Sequence, residues 1–467
     1  MLKKHHLVII GGGPGGYVAA LRAAQLKQKV LLIEEDRIGG TCMNYGCIPT
    51  KFLLHQTRMI HELRQNKKLA GPRQDLRLDW PLTQEDKGKV VDRLVRGIEF
   101  LLERCGVQVL KGEARLINEK EVRVRDASGE KAFEAENIIL ATGSRSADLP
   151  FLKPDGKMIL TSREALELAD IPKTLIVIGA GAIGIELGTI YSRLGTEVKI
   201  LEIMPTLLPG SDLEMANRLE RILRKQGLQI QTQMRIEKCE LKEGAVTLSG
   251  TCLKTNAPFA YEAERVLMAT GRKPNSEGIQ NALADLTVEK GGFVKVDSRL
   301  KTNCPGIYAI GDHIGGKLLA HKASHEGLTA AENAAGGRKS MDYRAMPMAV
   351  FTDPEFASVG LTEEEAKEIG IKFQIGVFSL QASGRALTME APEGMVKVIA
   401  GPDDKVIGGH IIAPGAGELI AELTLAIQKE LKLQDVASTI HIHPTLSESV
   451  MEAALKAKNE AIHILNI

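Results

Sequence analysis

Two cysteines five positions apart, Cys42 and Cys47, stand in the stretch Gly39-Gly40-Thr41-Cys42-Met43-Asn44-Tyr45-Gly46-Cys47-Ile48-Pro49-Thr50-Lys51. A sulfur pair can carry two electrons only if it can close. A disulfide needs its Cα atoms within about 4.4–6.8 Å, whereas five residues of regular helix rise about 7.5 Å. An uninterrupted helix therefore cannot bridge the pair, and Gly46, beside Cys47, is where the backbone can bend. Two readings stand on spacing alone. One is a strained, reducible disulfide at the start of a helix, whose positive dipole end favours a thiolate after reduction. The other is a pair of buried free thiols in a loop. A second candidate lies near the other end, in His441-Ile442-His443-Pro444-Thr445-Leu446-Ser447-Glu448. Thr445-x-x-Glu448 reads as a capping box, with Pro444 suited to a helix start and both histidines in a loop. The alternative is a dyad in which the Glu448 carboxylate orients the His443 imidazole as a base for a dithiol.

Elements must hold these groups in place. Leu7-Val8-Ile9-Ile10 is a short apolar run, expected as a buried parallel strand. Gly11-Gly12-Gly13-Pro14-Gly15-Gly16 follows, and then an alanine-rich helix. In such a strand–turn–helix, Gly11 permits the tight turn, Gly13 lets backbone approach a pyrophosphate, and Gly16 lets helix and strand pack closely. The next strand, Val30-Leu31-Leu32-Ile33, ends in Glu34, placed to bind ribose hydroxyls. The pattern recurs. Strand Leu175–Ile178 leads into Gly179-Ala180-Gly181-Ala182-Ile183-Gly184, a helix follows, and strand Val198–Leu201 ends in Glu202. In both copies the acid lies 23 residues after the first glycine. An internal repeat of a dinucleotide-binding unit implies two dinucleotides, most simply FAD and a nicotinamide cofactor. Glu202 repels a 2′-phosphate, and Ile203-Met204 supplies no arginine to receive one, so NAD(H) is expected over NADP(H).

The remainder bounds the answer. The 467 residues suggest about three domains. A net charge of +1 gives no reason to expect nucleic acid or an anionic membrane as partner. No apolar run is long enough to span a bilayer, and the residues before the first strand are too few for a signal peptide. Six cysteines are too sparse for a secreted disulfide framework. A cytoplasmic protein is expected, with no metal site. Helices are expected over Phe52–Lys68 and Glu85–Cys105. In the second, Val91, Leu94, Val95, Ile98, Leu101 and Leu102 recur at helical spacing and read as core. His321 reads as structural.

The cysteine stretch resembles the redox-active motif of the class I pyridine nucleotide–disulfide oxidoreductases, close to G-G-T-C-x-N-x-G-C-x-P-S/T-K, and meets every fixed position. The resemblance extends over nearly the whole chain. It implies an α/β fold with two Rossmann-like FAD- and NAD-binding domains plus a C-terminal α+β dimerisation domain. The parts would be 1–145 (FAD-binding, first part), 146–270 (NAD-binding), 271–344 (FAD-binding and central, second part) and 345–467 (dimerisation). It also implies roles. Cys47 would be the charge-transfer thiolate against the flavin, Cys42 the interchange thiol, and Lys51 a neighbour of the flavin N5, paired with Glu186. Gly112 would meet the adenosine half of FAD through its backbone, Gly143 would close the flavin domain in its Ala-Thr-Gly segment, Asp312 would hold the ribityl chain, and Ala320, near where the next helix opens, would also contact FAD. Gly271, in the second Ala-Thr-Gly segment, would contact NAD.

Ser383–Leu387, Pro414–Ile420 and His441–Glu448 point within the family to oxidation of protein-bound dihydrolipoyl groups by NAD⁺. The partner implied is the lipoylated protein of a 2-oxo acid dehydrogenase or glycine cleavage complex. His443 would act with Glu448 on the cysteine pair of the other subunit of an obligate homodimer. Two alternatives remain open: an NADH-dependent reductase of another small disulfide, and a non-catalytic flavoprotein subunit or redox sensor. Tyr45, Lys317 and His325 depart from the commonest pattern.

Overall fold

Strand Lys3–Ile10 runs parallel to Val30–Glu34 on one side and to Gly129–Leu140 on the other, with Val8 opposite Leu31 and Ile138 in a computed structural model that describes residues 3–276, 283 and 285–466. Gln108–Lys111 extends this sheet beyond Val30–Glu34, and Ile307–Ala309 pairs in parallel with the end of Gly129–Leu140. Strands Glu121–Asp126 and Glu113–Leu116 add antiparallel beyond it. The central strands are apolar on both faces because both faces are covered. Leu7, Ile9, Leu32 and Ile139 pack on helices Pro14–Gln25, Trp80–Arg104 and Ala320–Ala334. Val8, Ile10, Leu31, Ile33 and Ile138 point the other way, toward Val122, Val124 and Phe133.

Helix Trp80–Arg104 buries Val91, Val95, Ile98 and Leu102, whereas Leu94 and Leu101 are exposed. The apolar positions form a narrower stripe than expected, since at 3.6 residues per turn those two fall beside it. The first helix after the cysteines spans Cys47–Gln65, starting earlier than the expected Phe52.

The chain divides into two compact units. The first comprises Met1–Leu53, Asp79–Ala147 and Gly271–Asp342; the second comprises Leu54–Leu78, Asp148–Thr270 and Tyr343–Ile467. The second unit contains a parallel sheet in the order Gln229–Gln231, Glu197–Leu201, Thr174–Ile178, Arg265–Met268, Ile159–Leu160. An antiparallel three-stranded sheet, Met234–Lys242, Ala245–Cys252 and Pro258–Ala263, is inserted in the chain between Gln229–Gln231 and Arg265–Met268. The C-terminal part is a five-stranded antiparallel sheet, Met348–Val350, Glu355–Gly360, Val406–Ala413, Met395–Ala400, Gln374–Ser379. Helices Ala416–Gln428 and Glu448–Ala457 pack on it through Ile420, Leu423, Val450, Ala453 and Ala457. A Cβ on Gly376 would lie 1.8 Å from the Ala453 carbonyl oxygen, so helix Glu448–Ala457 can approach this strand only because glycine stands there.

The same sheet carries a buried cation. Lys397, fully buried, places Nζ 3.0 Å from Asp212, 3.1 Å from Glu214 and 2.7 Å from Glu363. This ties helix Leu213–Lys225, which follows the second glycine turn and strand, to the C-terminal sheet. No helix among the described residues is long and apolar enough to cross a membrane.

Candidate active site

The first glycine turn locks three functional segments together. Gly11 takes φ +104°, and a Cβ there would lie 2.3 Å from the Ala141 carbonyl oxygen. A Cβ on Gly16 would lie 1.8 Å from the Gly11 carbonyl oxygen, so the helix can start this close to the strand only with glycine. Glu34 closes the turn from the next strand, accepting the Gly12 amide at 2.6 Å and the Asp36 amide at 2.9 Å. Burial raises its carboxyl above the ordinary carboxylate value, against the pull of those two amides. The Gly39 amide donates to the Gly12 carbonyl at 2.9 Å, and a Cβ on Gly40 would lie 2.7 Å from Gly13 Cα. The cysteine helix Gly40–Tyr45 thus begins directly against the turn. Helix Pro14–Gln25 has no side-chain cap, and open space surrounds Gly13. That is a cradle a Cβ would narrow, and it suits the pyrophosphate of FAD.

Gly46 breaks the helix between the cysteines, at φ −145° and ψ −107°. Cys42 lies in Gly40–Tyr45, and Cys47 opens Cys47–Gln65. The break lets the two thiols meet. They hydrogen-bond each other and are unbridged here, a dithiol that is the reduced counterpart of the expected disulfide. Contact with Cys47, then burial, pushes the Cys42 thiol far up, while Lys51 pulls it down. The proton of the pair is therefore held on Cys42. Buried Asn44 pins the short helix through Nδ2 to the carbonyls of Ile38 and Gly40, both at 3.0 Å. The Tyr45 hydroxyl donates to Asp36 at 2.9 Å.

Asp312 lies in the turn Gly311–Ile314, ahead of the helix that Ala320 opens. It accepts from the Ser144 hydroxyl and lies 3.6 Å from Arg272. Arg272 in turn donates to Ser144 Oγ at 2.7 Å and to its carbonyl at 2.6 Å. Sequence reasoning did not single out Arg272 or Ser144; both flank the glycines of the two Ala-Thr-Gly segments. Gly143 has φ +65° and accepts the Asn275 amide at 3.0 Å. Gly271 accepts the Ala147 amide at 3.0 Å and falls in the first unit. The Gly112 amide is taken by the Glu34 carbonyl at 2.9 Å, which leaves only its carbonyl for a ligand. His313 is wholly buried, with Nδ1 3.0 Å from the Thr142 hydroxyl. Thr142 Oγ1 donates to the Asn275 carbonyl, so His313 donates to Thr142 through Nδ1. Burial lowers its pKa to about 4.

The second glycine turn repeats the first. Gly179 has φ +104°, and a Cβ on Gly184 would lie 2.0 Å from the Gly179 carbonyl oxygen. Glu202 accepts the Ala180 amide at 2.7 Å and the Met204 amide at 2.8 Å. Helix Ala182–Leu194 is uncapped by a side chain, and open space surrounds Gly181. The turn suits a second pyrophosphate. Glu186 is buried in this helix and accepts the Phe351 amide at 3.0 Å.

His443 and Glu448 come together. Nδ1 of the imidazole lies 2.9 Å from Glu448 Oε1, and Glu448 Oε2 accepts the Thr445 amide at 2.8 Å. The expected capping box does not form, because Ser447 is the N-cap of helix Glu448–Ala457 and the Thr445 hydroxyl bonds Ile442 instead; one Glu448 oxygen serves the imidazole and the other the Thr445 amide. Burial would raise the Glu448 carboxyl, but the Thr445 amide, His443 and His463 outweigh it and hold the group below its ordinary value. With Nδ1 donating to the carboxylate, the Nε2 lone pair is left to accept a proton, on a side chain 79% exposed. His441 is buried instead, held between the Thr439 carbonyl at 2.8 Å and Glu422 at 3.0 Å.

Residues 5–327 match the family model described as pyridine nucleotide-disulphide oxidoreductase, and residues 346–454 match its dimerisation domain. Among curated proteins, the chain is 43% identical over 467 residues, 100% of both chains, to the dihydrolipoyl dehydrogenase of Thermus scotoductus. It is 41% identical to that of Geobacillus stearothermophilus, over 98% of this chain and 97% of the relative. Among solved structures it is similar to LpdA from Mycobacterium tuberculosis, with TM-score 0.88 and 30% identity over 97% of this chain and 99% of the other. The HOCl-induced flavoprotein disulfide reductase RclA from Escherichia coli matches with TM-score 0.84 and 28% identity, over 96% of this chain and 99% of the other.

Proposed function

This chain belongs to the pyridine nucleotide-disulphide oxidoreductase family, and from that premise we propose that it oxidises protein-bound dihydrolipoyl groups with NAD⁺ as acceptor, using FAD. The observation that carries the reading is the Cys42–Cys47 contact across the Gly46 break, built onto the first glycine turn. His443 Nε2 takes the proton of one substrate thiol. The thiolate attacks Sγ of Cys42 in the oxidised pair, and Cys47 leaves as a thiolate. The second substrate thiol, after losing its proton, displaces Cys42, so the lipoyl disulfide forms and both cysteines end reduced. FAD supplies the two-electron link that returns the pair to the disulfide and yields NADH. Lys51 and Glu186 are read as a charge pair beside the flavin, and Asp312 as the ribityl ligand, with Arg272 and Ser144 holding Asp312. Glu202 selects NAD⁺, and Gly271 is retained as a contact of that nucleotide.

The dimer is read as completing the site, with His443 of one subunit serving the cysteine pair of the other. Two exposed apolar side chains just before His443 support this, Ile440 at 96% and Ile442 at 78% exposure. The substrate is read as the lipoylated protein of a 2-oxo acid dehydrogenase or glycine cleavage complex, and the sparse cysteine usage supports a cytoplasmic location. The test compares dihydrolipoamide:NAD⁺ turnover with NADH-driven reduction of a panel of small disulfides. Faster dihydrolipoamide turnover is expected. A small disulfide reduced with far higher kcat/KM, and no dihydrolipoamide oxidation, would transfer the reading to a disulfide reductase.

A further inference from the structure

Helix Glu448–Ala457 carries two carboxylates one turn apart, Glu448 and Glu452, and each holds a histidine in the same way. Glu448 gives one oxygen to His443 Nδ1 and the other to a backbone amide. Glu452 gives Oε1 to His463 Nδ1 at 2.7 Å, and Oε2 to the amides of Ile462 at 3.2 Å and His463 at 3.3 Å. Positions i and i+4 of a helix are neighbours, with Cβ atoms about 5–6 Å apart. Glu452 is buried, its side chain 3% exposed, while His463 reaches solvent. A buried carboxylate beside Glu448 would load the dyad with a second negative charge unless something cancels it. His463 stands where it can, and its charge also acts on Glu448.

We propose that His463 and Glu452 form a second imidazole–carboxylate pair that balances the charge beside the dyad, so that segment 458–466 sets the pH range in which His443 works. The proposal rests on His443 being the dithiol base. Other charged groups surround this helix. Lys456 donates to the Leu465 carbonyl, and Lys458 lies 3.0 Å from Glu460. In helix Leu433–Ser438, Asp435 caps its own first turn through the Lys432 amide. His441 is held by Glu422. In the strands packed against the helix, Gln374–Ser379 has no charged residue, and Lys397 faces Asp212 from the side opposite Val396 and Val398. His463 Nδ1 is the imidazole nitrogen in direct contact with Glu452.

The test is a charge cycle on the dimeric, FAD-loaded enzyme. The readouts are the pH profile of dihydrolipoamide kcat/KM and, independently of turnover, the pH dependence of His443 acylation by diethylpyrocarbonate, located by mass spectrometry. His463→Gln leaves Glu452 unbalanced and should move the acidic limb of both curves up by about half a pH unit. Glu452→Gln leaves His463 without its carboxylate and should move both down. The double variant should return both to the wild-type position. Unmoved curves in the single variants, or a double variant displaced as far as either, would make the pair merely structural and overturn the proposal. If a glutamine variant does not fold, His463→Asn gives the same comparison. If His443→Gln keeps wild-type dihydrolipoamide turnover, the base assignment fails, and this inference falls with it.

Discussion

The two glycine turns share one geometry and differ in what holds them. Both begin with a glycine at φ +104°, and both end in a carboxylate that accepts the amide of the next turn residue and the amide two residues beyond itself. The first is closed by backbone. A Cβ on Gly15 would lie 3.0 Å from Ile310 Cδ1 and 3.1 Å from the Ala323 carbonyl oxygen, and one on Gly327 would lie 2.4 Å from the Gly15 carbonyl oxygen. Helix Ala320–Ala334 thus lies directly on helix Pro14–Gln25. In the second turn the position of Gly15 is taken by Ile183, 36% exposed, and the helix beyond its second strand is moored by charge, through Lys397. A turn sealed by a packed helix suits a resident cofactor; an open one suits a nucleotide that exchanges each cycle.

Exchanging the two residues should break the comparison most strongly. Gly15→Ile has no room for its side chain and should abolish flavin retention, read as loss of yellow colour after desalting. Ile183→Gly should keep the flavin and change stability by about 1 kcal/mol, the helix cost of glycine. Next comes Lys397→Met, which leaves Asp212 buried without its cation. A loss of about 3–5 kcal/mol is expected in denaturant unfolding of the second unit, with flavin absorbance in the first unit retained at denaturant concentrations where NAD⁺ binding is already gone.

Acid should act on both units through buried imidazoles, most strongly His313 in the first and His410 in the second. His410, held neutral between Ser358 at 2.8 Å and the Leu361 carbonyl at 3.1 Å, is lowered by burial to about 4, as is His313. Each is neutral when folded and protonated when unfolded between its folded value and the ordinary 6.5. The unfolded state therefore binds more protons in that window, and stability falls as pH drops from 6.5 toward 4. The loss is about 3 kcal/mol per histidine, with no further loss from these groups below 4. Thermal unfolding across that range checks this, and His313→Val should remove only the share of the first unit. Glu202→Ala should lower kcat/KM for NAD⁺ about tenfold and narrow the preference over NADP⁺. An unchanged preference would mean that Glu202 only braces its turn.

Much of this was legible in the sequence because local chemistry decided it. A turn needing positive φ at Gly11, a close approach at Gly16 and a terminal acid at Glu34 leave a spacing that repeats at Gly179, Gly184 and Glu202. The Gly46 break follows from what a helix cannot do for Cys42 and Cys47. What escaped depends on tertiary partners. Glu452 reads as a solvated helix position until His463, eleven residues on, folds back onto it. Lys397 interrupts an apolar strand, but the three acids that hold it come from distant segments. Leu94 and Leu101 looked like core because spacing alone does not say how wide the covered stripe is. Arg272 and Ser144 lie far apart in the chain and meet only when strands Ser144–Ser146 and Arg272–Pro274 pair.

The central claim is that Cys42 and Cys47 relay electrons from a dihydrolipoyl group to NAD⁺, and anaerobic thiol counting during a single turnover tests it most directly. One equivalent of dihydrolipoamide should make Cys42 and Cys47 alkylatable, and NAD⁺ should then reverse this with formation of one equivalent of NADH. NADH formed at an undiminished rate by Cys47→Ser, or with both thiols unchanged throughout, would contradict it.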